Sequence, residues 1–158
     1  MGILSNEAKQ ALVDCTPAYV ATVCPDGTPN VSPKGTVMAW DDDRIVFLNL
    51  RSPQTMANLR ASPHIEINVV HPLVRKGFRY KGTAQVLHDG PLHDEIVAYF
   101  ERERSVRRAR IHGVVVMQVQ QVRPLISPAY DEGGANEDEV RAKWVERFQT
   151  MIDAARAR

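Results

Sequence analysis

The fold is decided largely by residues 44–63, which have the sequence RIVFLNLRSPQTMANLRASP. Residues 45–48 are apolar, two of them are β-branched and one is aromatic, and they follow a polar turn of three aspartates, a pattern typical of a strand. Ser52 and Pro53 then predict a helix start, because a serine oxygen can cap free backbone N–H groups and proline suits the first helical position. This helix should end before Pro63. The stretch therefore predicts a strand, a polar loop, a short helix and the start of the next strand.

The start of this helix is a candidate anion site. Backbone N–H groups at a helix N-terminus lack partners within the helix and carry a partial positive charge, so they attract phosphate. Arg51, Gln54 and Thr55 lie around this start and could contribute one charge and further hydrogen bonds. An ordinary capped helix with a solvated arginine is the alternative, and it is the commoner arrangement, because helix caps outnumber phosphate sites.

Length and composition predict a single domain over residues 1–158. The net charge is +1, with 25% charged and 44% hydrophobic residues, which gives no electrostatic reason to expect nucleic acid as a partner. We see neither a signal peptide nor an apolar run near the ~20 residues that cross a bilayer, so no membrane partner is expected. Cys15 and Cys24 lack CxxC spacing. We therefore expect a cytoplasmic protein with reduced cysteines.

The rest of the chain predicts a mainly β fold with flanking helices. Strands are expected at residues 18–24, 31–40, 45–48, 64–70, 78–88 and 113–122, because apolar alternation there is bounded by turn residues. Residues 32–35 (SPKG) interrupt the second strand, which indicates an edge, a bulge or a ligand contact. Helices are expected at 5–16, 53–62, 91–102 and 137–157, with loops at 75–77 and 124–136. Six short strands, mostly in consecutive hairpin order, favour an antiparallel barrel over a doubly wound sheet.

The sequence offers no self-sufficient catalytic group. It has no GxGxxG, GxxxxGK[ST], HExxH or GxSxG motif. Its five histidines are not paired at metal-ligand spacing, so no metal is expected, and Cys24 has no adjacent histidine to activate it. Polar and cationic side chains do occur at strand ends and at one helix start: Lys34, Asn49, Arg51, Gln54 and Thr55. This distribution favours an anionic cofactor that does the chemistry itself, with the catalytic residues unknown.

Three segments together resemble the pyridoxamine 5'-phosphate oxidase-like family of FMN-binding split barrels. They are PNVSPKGTV at residues 29–37, DDDRIVFLNLRSPQTMANLRASPHIEINVV at 41–70, and FRYKGTAQVL at 78–87. The resemblance implies a six-stranded antiparallel split β-barrel, FMN as cofactor, and a homodimer with flavin sites at the subunit interface. True pyridoxamine phosphate oxidases end in an arginine- and histidine-bearing motif, which this chain lacks, so the small-molecule substrate is not expected to be pyridoxamine phosphate.

The same resemblance implies a set of cofactor-binding residues. They are Ser32, Lys34, Gly35, Leu48, Asn49, Arg51, Gln54 and Thr55. Lys34, Arg51, Gln54 and Thr55 would bind the FMN phosphate. Leu48, Asn49 and the backbone of residues 32–35 would line the ribityl chain or the ring. Gln54 and Thr55 replace an Arg-Lys pair that is frequent in the family. A glutamine that often touches the flavin ring is matched here by Gly77.

Two other functions stay open beside an FMN-dependent oxidoreductase. Related split barrels bind a deazaflavin such as F420, and Arg75, Lys76, Arg79 and Lys81 could form a basic groove for its longer anionic tail. A non-catalytic module that stores, senses or sequesters flavin, or another tetrapyrrole- or nucleotide-like ligand, would need no acid or base. The apolar stripe of residues 137–157 fits either dimer packing or packing on its own barrel.

Overall fold

The computed structural model describes residues 2–157 and contains seven strands in place of the six expected. The strands are β1 (Ala18–Val23), β2 (Pro29–Lys34), β3 (Met38–Ala39), β4 (Arg44–Leu48), β5 (His64–Val70), β6 (Lys76–Leu87) and β7 (Val114–Ile126). The helices are α1 (Asn6–Asp14), α2 (Pro53–Ala61), α3 (Pro91–Arg104), α4 (Pro128–Asp131) and α5 (Glu137–Arg156). No helix in this part of the chain is long and apolar enough to cross a membrane. The mainly β class with flanking helices is confirmed.

The seven strands form one antiparallel sheet with the order β2-β1-β5-β6-β7-β4-β3. Strands β2 and β3 are its two edges, although only residues 35–37 separate them along the chain. An extended chain covers at most about 14 Å in the four steps from Lys34 to Met38. The sheet must therefore curl until its edges approach each other. The result is a barrel split between β2 and β3.

The seventh strand arises because the single strand expected at residues 31–40 is interrupted. Lys34 pairs with Ala18 of β1 as the last residue of β2. After Gly35 the chain leaves this edge, and Met38 pairs with Val46 of β4 at the opposite edge. The segment is thus two short edge strands, and its connection crosses the split of the barrel.

Two segments expected to be loops are partly strand. Strand β6 already begins at Lys76, and β7 continues to Ile126, because the two strands pair continuously along this length. The expected loop at residues 124–136 also contains α4. The C-terminal helix begins at Glu137 as expected and ends at Arg156, one residue earlier than predicted.

Gly77 shows why the pairing of β5 with β6 needs a glycine. A Cβ atom at this position would lie 1.9 Å from the carbonyl oxygen of Val69. No side chain fits there unless one of the strands moves. The glutamine that the family often carries at the matching position is therefore sterically excluded here.

Two hydrophobic clusters fix the elements around β4. The larger fills the barrel, where the hydroxyl group of Tyr80 donates to the carbonyl oxygen of Ala8 at 2.6 Å and ties α1 to β6. The smaller packs α3 on the other side of the sheet and includes Leu48 and Phe100. Each fully buried side chain of this size contributes about 1.5–3 kcal/mol. Because β4 is buried on both faces, its last residue, where the polar loop to α2 begins, is held in place.

Helix α5 packs on the barrel only through its first turns. Val140 is buried, Glu137 pairs with Lys76 at 3.0 Å, and the guanidinium group of Arg75 lies 4.4 Å from the ring centre of Trp144. The later apolar side chains are 46–58% exposed: Val145, Met151 and Ile152. The stripe therefore packs on its own barrel in part, through Val140 and Trp144, and leaves its later residues exposed.

Candidate functional site

The inner face of edge strand β2 carries Asn30, Ser32 and Lys34. These side chains alternate with exposed residues, as a strand that is half covered requires. Asn30 donates a hydrogen bond to Oγ1 of Thr22 at 3.2 Å, and Asn58 of α2 donates to the same oxygen at 2.9 Å. The face of β2 that carries Lys34 is therefore turned toward α2.

Lys34 is a buried cation without a carboxylate partner. The residue is 7% exposed, and its ammonium group donates to Oγ of Ser32. No ion pair within residues 2–157 includes it. Burial lowers the pKa of Lys34 from its ordinary value, because loss of water disfavours the charged form. A buried charge is normally paired, so this position fits an anionic group such as a phosphate.

The start of α2 is organised by Gln54 and Asn58. Nε2 of Gln54 donates to Oδ1 of Asn58 at 2.8 Å. Asn58 is fully buried, and its Nδ2 lies 2.9 Å from Oγ1 of Thr22 and 3.5 Å from Sγ of Cys24. These bonds join the first turn of α2 to the β1–β2 hairpin. Sequence reasoning missed Asn58, although a polar residue beside Leu59 on the apolar face of a short helix was a usable signal.

The expected serine cap of α2 is wrong. Ser52 makes no side-chain cap bond, and the first turn contains no acidic residue. Asn49 shapes the loop instead, since its Oδ1 accepts from the N–H of Ser52 at 3.2 Å and its own N–H donates to the carbonyl oxygen of Gly113 at 2.9 Å. No side chain caps the first turn, so its N–H groups are available to a bound anion.

The β2–β3 connection contacts the end of β4 through Thr36, the residue that follows Gly35. The N–H of Leu48 donates to Oγ1 of Thr36 at 3.0 Å, which brings the β2–β3 connection to the end of β4. The side chain of Leu48 itself is 1% exposed and belongs to the core under α3. Only the backbone of Leu48 can therefore face a ligand. A Cβ added at Gly35 would meet nothing within 4 Å, so open space borders this glycine.

The predicted phosphate contacts differ in exposure. Thr55 is 2% exposed, whereas Arg51 and Gln54 are exposed. Arg51 takes part in no ion pair among the described residues. We call the region bordered by the inner face of β2, the end of β4 and the start of α2 the β2–α2 cleft. Its elements carry one buried and one exposed cation, Lys34 and Arg51, without carboxylate partners among the described residues.

The basic groove considered for a longer anionic tail is not assembled. Arg79 pairs with Glu66 at 3.0 Å, and Lys76 pairs with Glu137. Arg75 lies on the ring of Trp144. Three of the four cations are thus engaged by the protein itself. A depression of about 670 Å³ on another part of the sheet includes the fourth, Lys81, and none of the predicted cofactor-binding residues.

Known proteins share both the sequence pattern and the fold. The chain matches the family model described as pyridoxamine 5'-phosphate oxidase over residues 4–125. It is similar to HupZ from Group A Streptococcus, with 27% identity and a TM-score of 0.70 over 78% of this chain and 94% of that chain. No curated protein matches the chain in sequence.

Two further solved structures share the fold at lower identity. One is an FMN-binding protein from Syntrophomonas wolfei, with 16% identity and a TM-score of 0.64 over 77% of this chain and 85% of that chain. Another is an F420 reductase, with 20% identity and a TM-score of 0.57 over 75% of this chain and 98% of that chain. With well over half of its residues matched by the family model, the chain belongs to the pyridoxamine 5'-phosphate oxidase family.

Proposed function

We propose that this protein binds FMN in the β2–α2 cleft and acts as an oxidoreductase on a small molecule other than pyridoxamine phosphate. The observation that carries the proposal is the buried ammonium group of Lys34, which lacks a carboxylate partner. A phosphate group would neutralise it and would recover the free energy lost on burial. The fold shared with an FMN-binding protein supports the same ligand class.

The chain's own residues would divide the work of holding FMN. Lys34 and the uncapped first turn of α2, including the backbone N–H of Thr55, would bind the phosphate, with Gln54 as a neutral hydrogen-bond partner. Open space beside Gly35 would admit the ligand close to the backbone. Asn58 would act as a positioning residue, because it fixes the amide group of Gln54. FMN, when bound, supplies electron or hydride transfer at its ring system.

We further propose a homodimer with the flavin sites at the subunit interface. Apolar side chains on the edge hairpin are 44–61% exposed: Tyr19, Val23 and Val31. Exposed apolar groups on neighbouring strands, together with those of α5, are typical of a surface that a second subunit covers. Sedimentation should give twice the chain mass of 17.7 kDa. A monomer that still retains flavin would refute the interfacial site.

An absorbance spectrum of the purified protein tests the cofactor. FMN is added, the excess is removed, and retained bands near about 370 and 450 nm would show a bound flavin. A parallel titration with F420 separates the second candidate, which the shared fold with an F420 reductase supports. Failure to retain FMN overturns the proposal. Reduction of bound FMN by NADH or NADPH, followed by reoxidation by a substrate, would separate an oxidoreductase from a non-catalytic flavin module.

A further inference from the structure

We propose that a second cavity, adjoining the β2–α2 cleft at Gly35, binds a small apolar monocarboxylate. The cavity has a volume of about 190 Å³ and lies between the end of α1, the β2–β3 connection and the end of α3. Its lining includes Leu12, Thr36, Val37 and Arg104. These side chains line the cavity whichever cofactor the β2–α2 cleft binds.

The lining of the cavity is mixed, with buried apolar side chains beside the polar residues Thr16, Thr36 and Arg104. Leu12, Val37 and Phe100 are 1%, 6% and 2% exposed, so their positions are fixed by the core. An apolar cavity of about 150 Å³ is large enough to bind benzene. A space of about 190 Å³ therefore accommodates one six-membered ring, or a branched aliphatic group of similar size, with a small polar head.

Arg104 gives the cavity an uncompensated positive charge. No acidic residue lines the cavity. The two nearest glutamates of α3 are engaged elsewhere, Glu103 with Arg102 at 2.6 Å and Glu101 with Arg108 at 3.8 Å. No ion pair in residues 2–157 includes Arg104. A guanidinium group binds a carboxylate through two parallel N–H bonds, so its planar fork selects this head group.

Thr36 supplies a hydrogen-bond donor at the same cavity. Its Oγ1 already accepts from the N–H of Leu48, which leaves the hydroxyl hydrogen free to be donated. The hydroxyl group of Thr16, also in the lining, is directed to the carbonyl oxygen of Val13 at 3.5 Å. One cation and one free donor beside the side chains of Leu12, Val37 and Phe100 suit a single negative charge on a small body that is otherwise apolar. A phosphate dianion would bury charge against the aromatic ring of Phe100 without further partners.

The test uses benzoate as probe and benzamide as its neutral counterpart of the same shape. Each is titrated into the full chain labelled with ¹⁵N, with and without FMN, and amide chemical shifts are followed. Benzoate should shift the amides of residues 35–37 and of Val106, and benzamide should bind at least about tenfold more weakly, as expected when a charge-assisted contact is lost. Arg104→Gln should weaken benzoate binding by about tenfold or more. Arg102→Gln, on the same helix but outside the cavity, should bind benzoate as the unmodified protein does.

Equal binding of benzoate and benzamide overturns the proposal, as does unchanged benzoate binding by Arg104→Gln or a set of shifts outside the cavity. Arg104 is exposed, and the melting temperature of each variant checks that it folds. Flavin retention is measured on the same samples by absorbance. Benzoate binding without flavin retention rejects the proposed cofactor alone, whereas flavin retention without benzoate binding rejects the monocarboxylate site alone.

Discussion

The ammonium group of Lys34 donates a hydrogen bond to the hydroxyl oxygen of Ser32, two residues earlier on the same face of β2. The hydroxyl group is neutral, so it meets the need for a hydrogen bond but leaves the charge uncompensated. A buried cation in this state destabilises the ligand-free protein and favours any bound anion. Lys34 therefore raises the affinity for a phosphate-bearing ligand and lowers the stability of the ligand-free protein.

Lys34→Met should weaken FMN binding by about 1.5–3 kcal/mol, because it removes a charged contact to the phosphate but keeps the buried stem. Quenching of FMN fluorescence during titration measures the dissociation constant. Lys143→Met, on the exposed surface of α5, is the matched control and should leave the affinity unchanged. The same affinity for both variants would remove Lys34 from the site.

The pH dependence of stability should change with the same substitution. Because burial lowers the pKa of Lys34, the unfolded chain binds this proton more tightly than the folded chain does, in the window below the ordinary value of 10.5. The free energy of unfolding of the ligand-free protein should therefore rise with pH through that window. Lys34→Met should remove this rise and be the more stable protein at lower pH. Urea unfolding at a series of pH values measures both effects, and parallel curves for the two proteins would contradict them.

Asn58→Ala should lower the free energy of unfolding by about 1–3 kcal/mol, because it leaves the buried hydroxyl group of Thr22 with one partner fewer and releases the amide group of Gln54. It should also weaken FMN binding through the loss of that positioning. Gln149→Ala is the control, since it breaks an amide–carboxylate bond of 2.8 Å on the exposed face of α5. An equal, small effect of both substitutions on urea unfolding would mean that the network around Asn58 is not structural.

Two glycine substitutions should affect different properties, one the stability of the protein and the other its retention of flavin. Gly77→Ala places a methyl group against the carbonyl oxygen of Val69 and should destabilise the protein by about 1–3 kcal/mol or more, because a strand must move. Gly35→Ala enters open space and should leave thermal unfolding nearly unchanged while it reduces flavin retention. Thermal unfolding and retained flavin absorbance are measured on both variants. A stable Gly35→Ala protein that retains flavin fully would show that the ligand does not approach this residue.

The sequence pattern alone predicts those elements that depend on residues close together in the chain. Residues 45–48 form β4, and the helix that follows ends before Pro63, as strand propensity and proline chemistry require. At α1, the hydroxyl group of Ser5 accepts from the N–H of Ala8, the bond that a serine before a helix commonly makes. Each of these features depends on neighbours within a few residues.

The features that sequence reasoning missed depend on distant partners. Pro33 and Gly35 mark an interruption, but they do not reveal that the two halves of the segment pair at opposite edges of the sheet. The role of Asn58 depends on Thr22, 36 residues earlier. Ser52 makes no cap bond to α2, and its backbone, with a ψ of 56°, is not in the extended conformation of a capping residue. The proposed cofactor-binding residues rest on the helix start and on family resemblance, because periodicity cannot show which side chains converge on one cleft.

Lys34 lies on an edge strand of the sheet, where local opening of the structure costs least free energy. Strands β2 and β3 each have only one neighbour in the sheet, and β3 contains only two residues. Edge strands open locally at lower free energy than central ones, so their amides should exchange with deuterium early while those of β6 and β7 stay protected. A ligand held by Lys34 and the residues after it would stabilise the closed form by mass action. Slower exchange on ligand addition should therefore be concentrated at the split of the barrel, because a ligand bound there also stabilises the closed form of the edge strands.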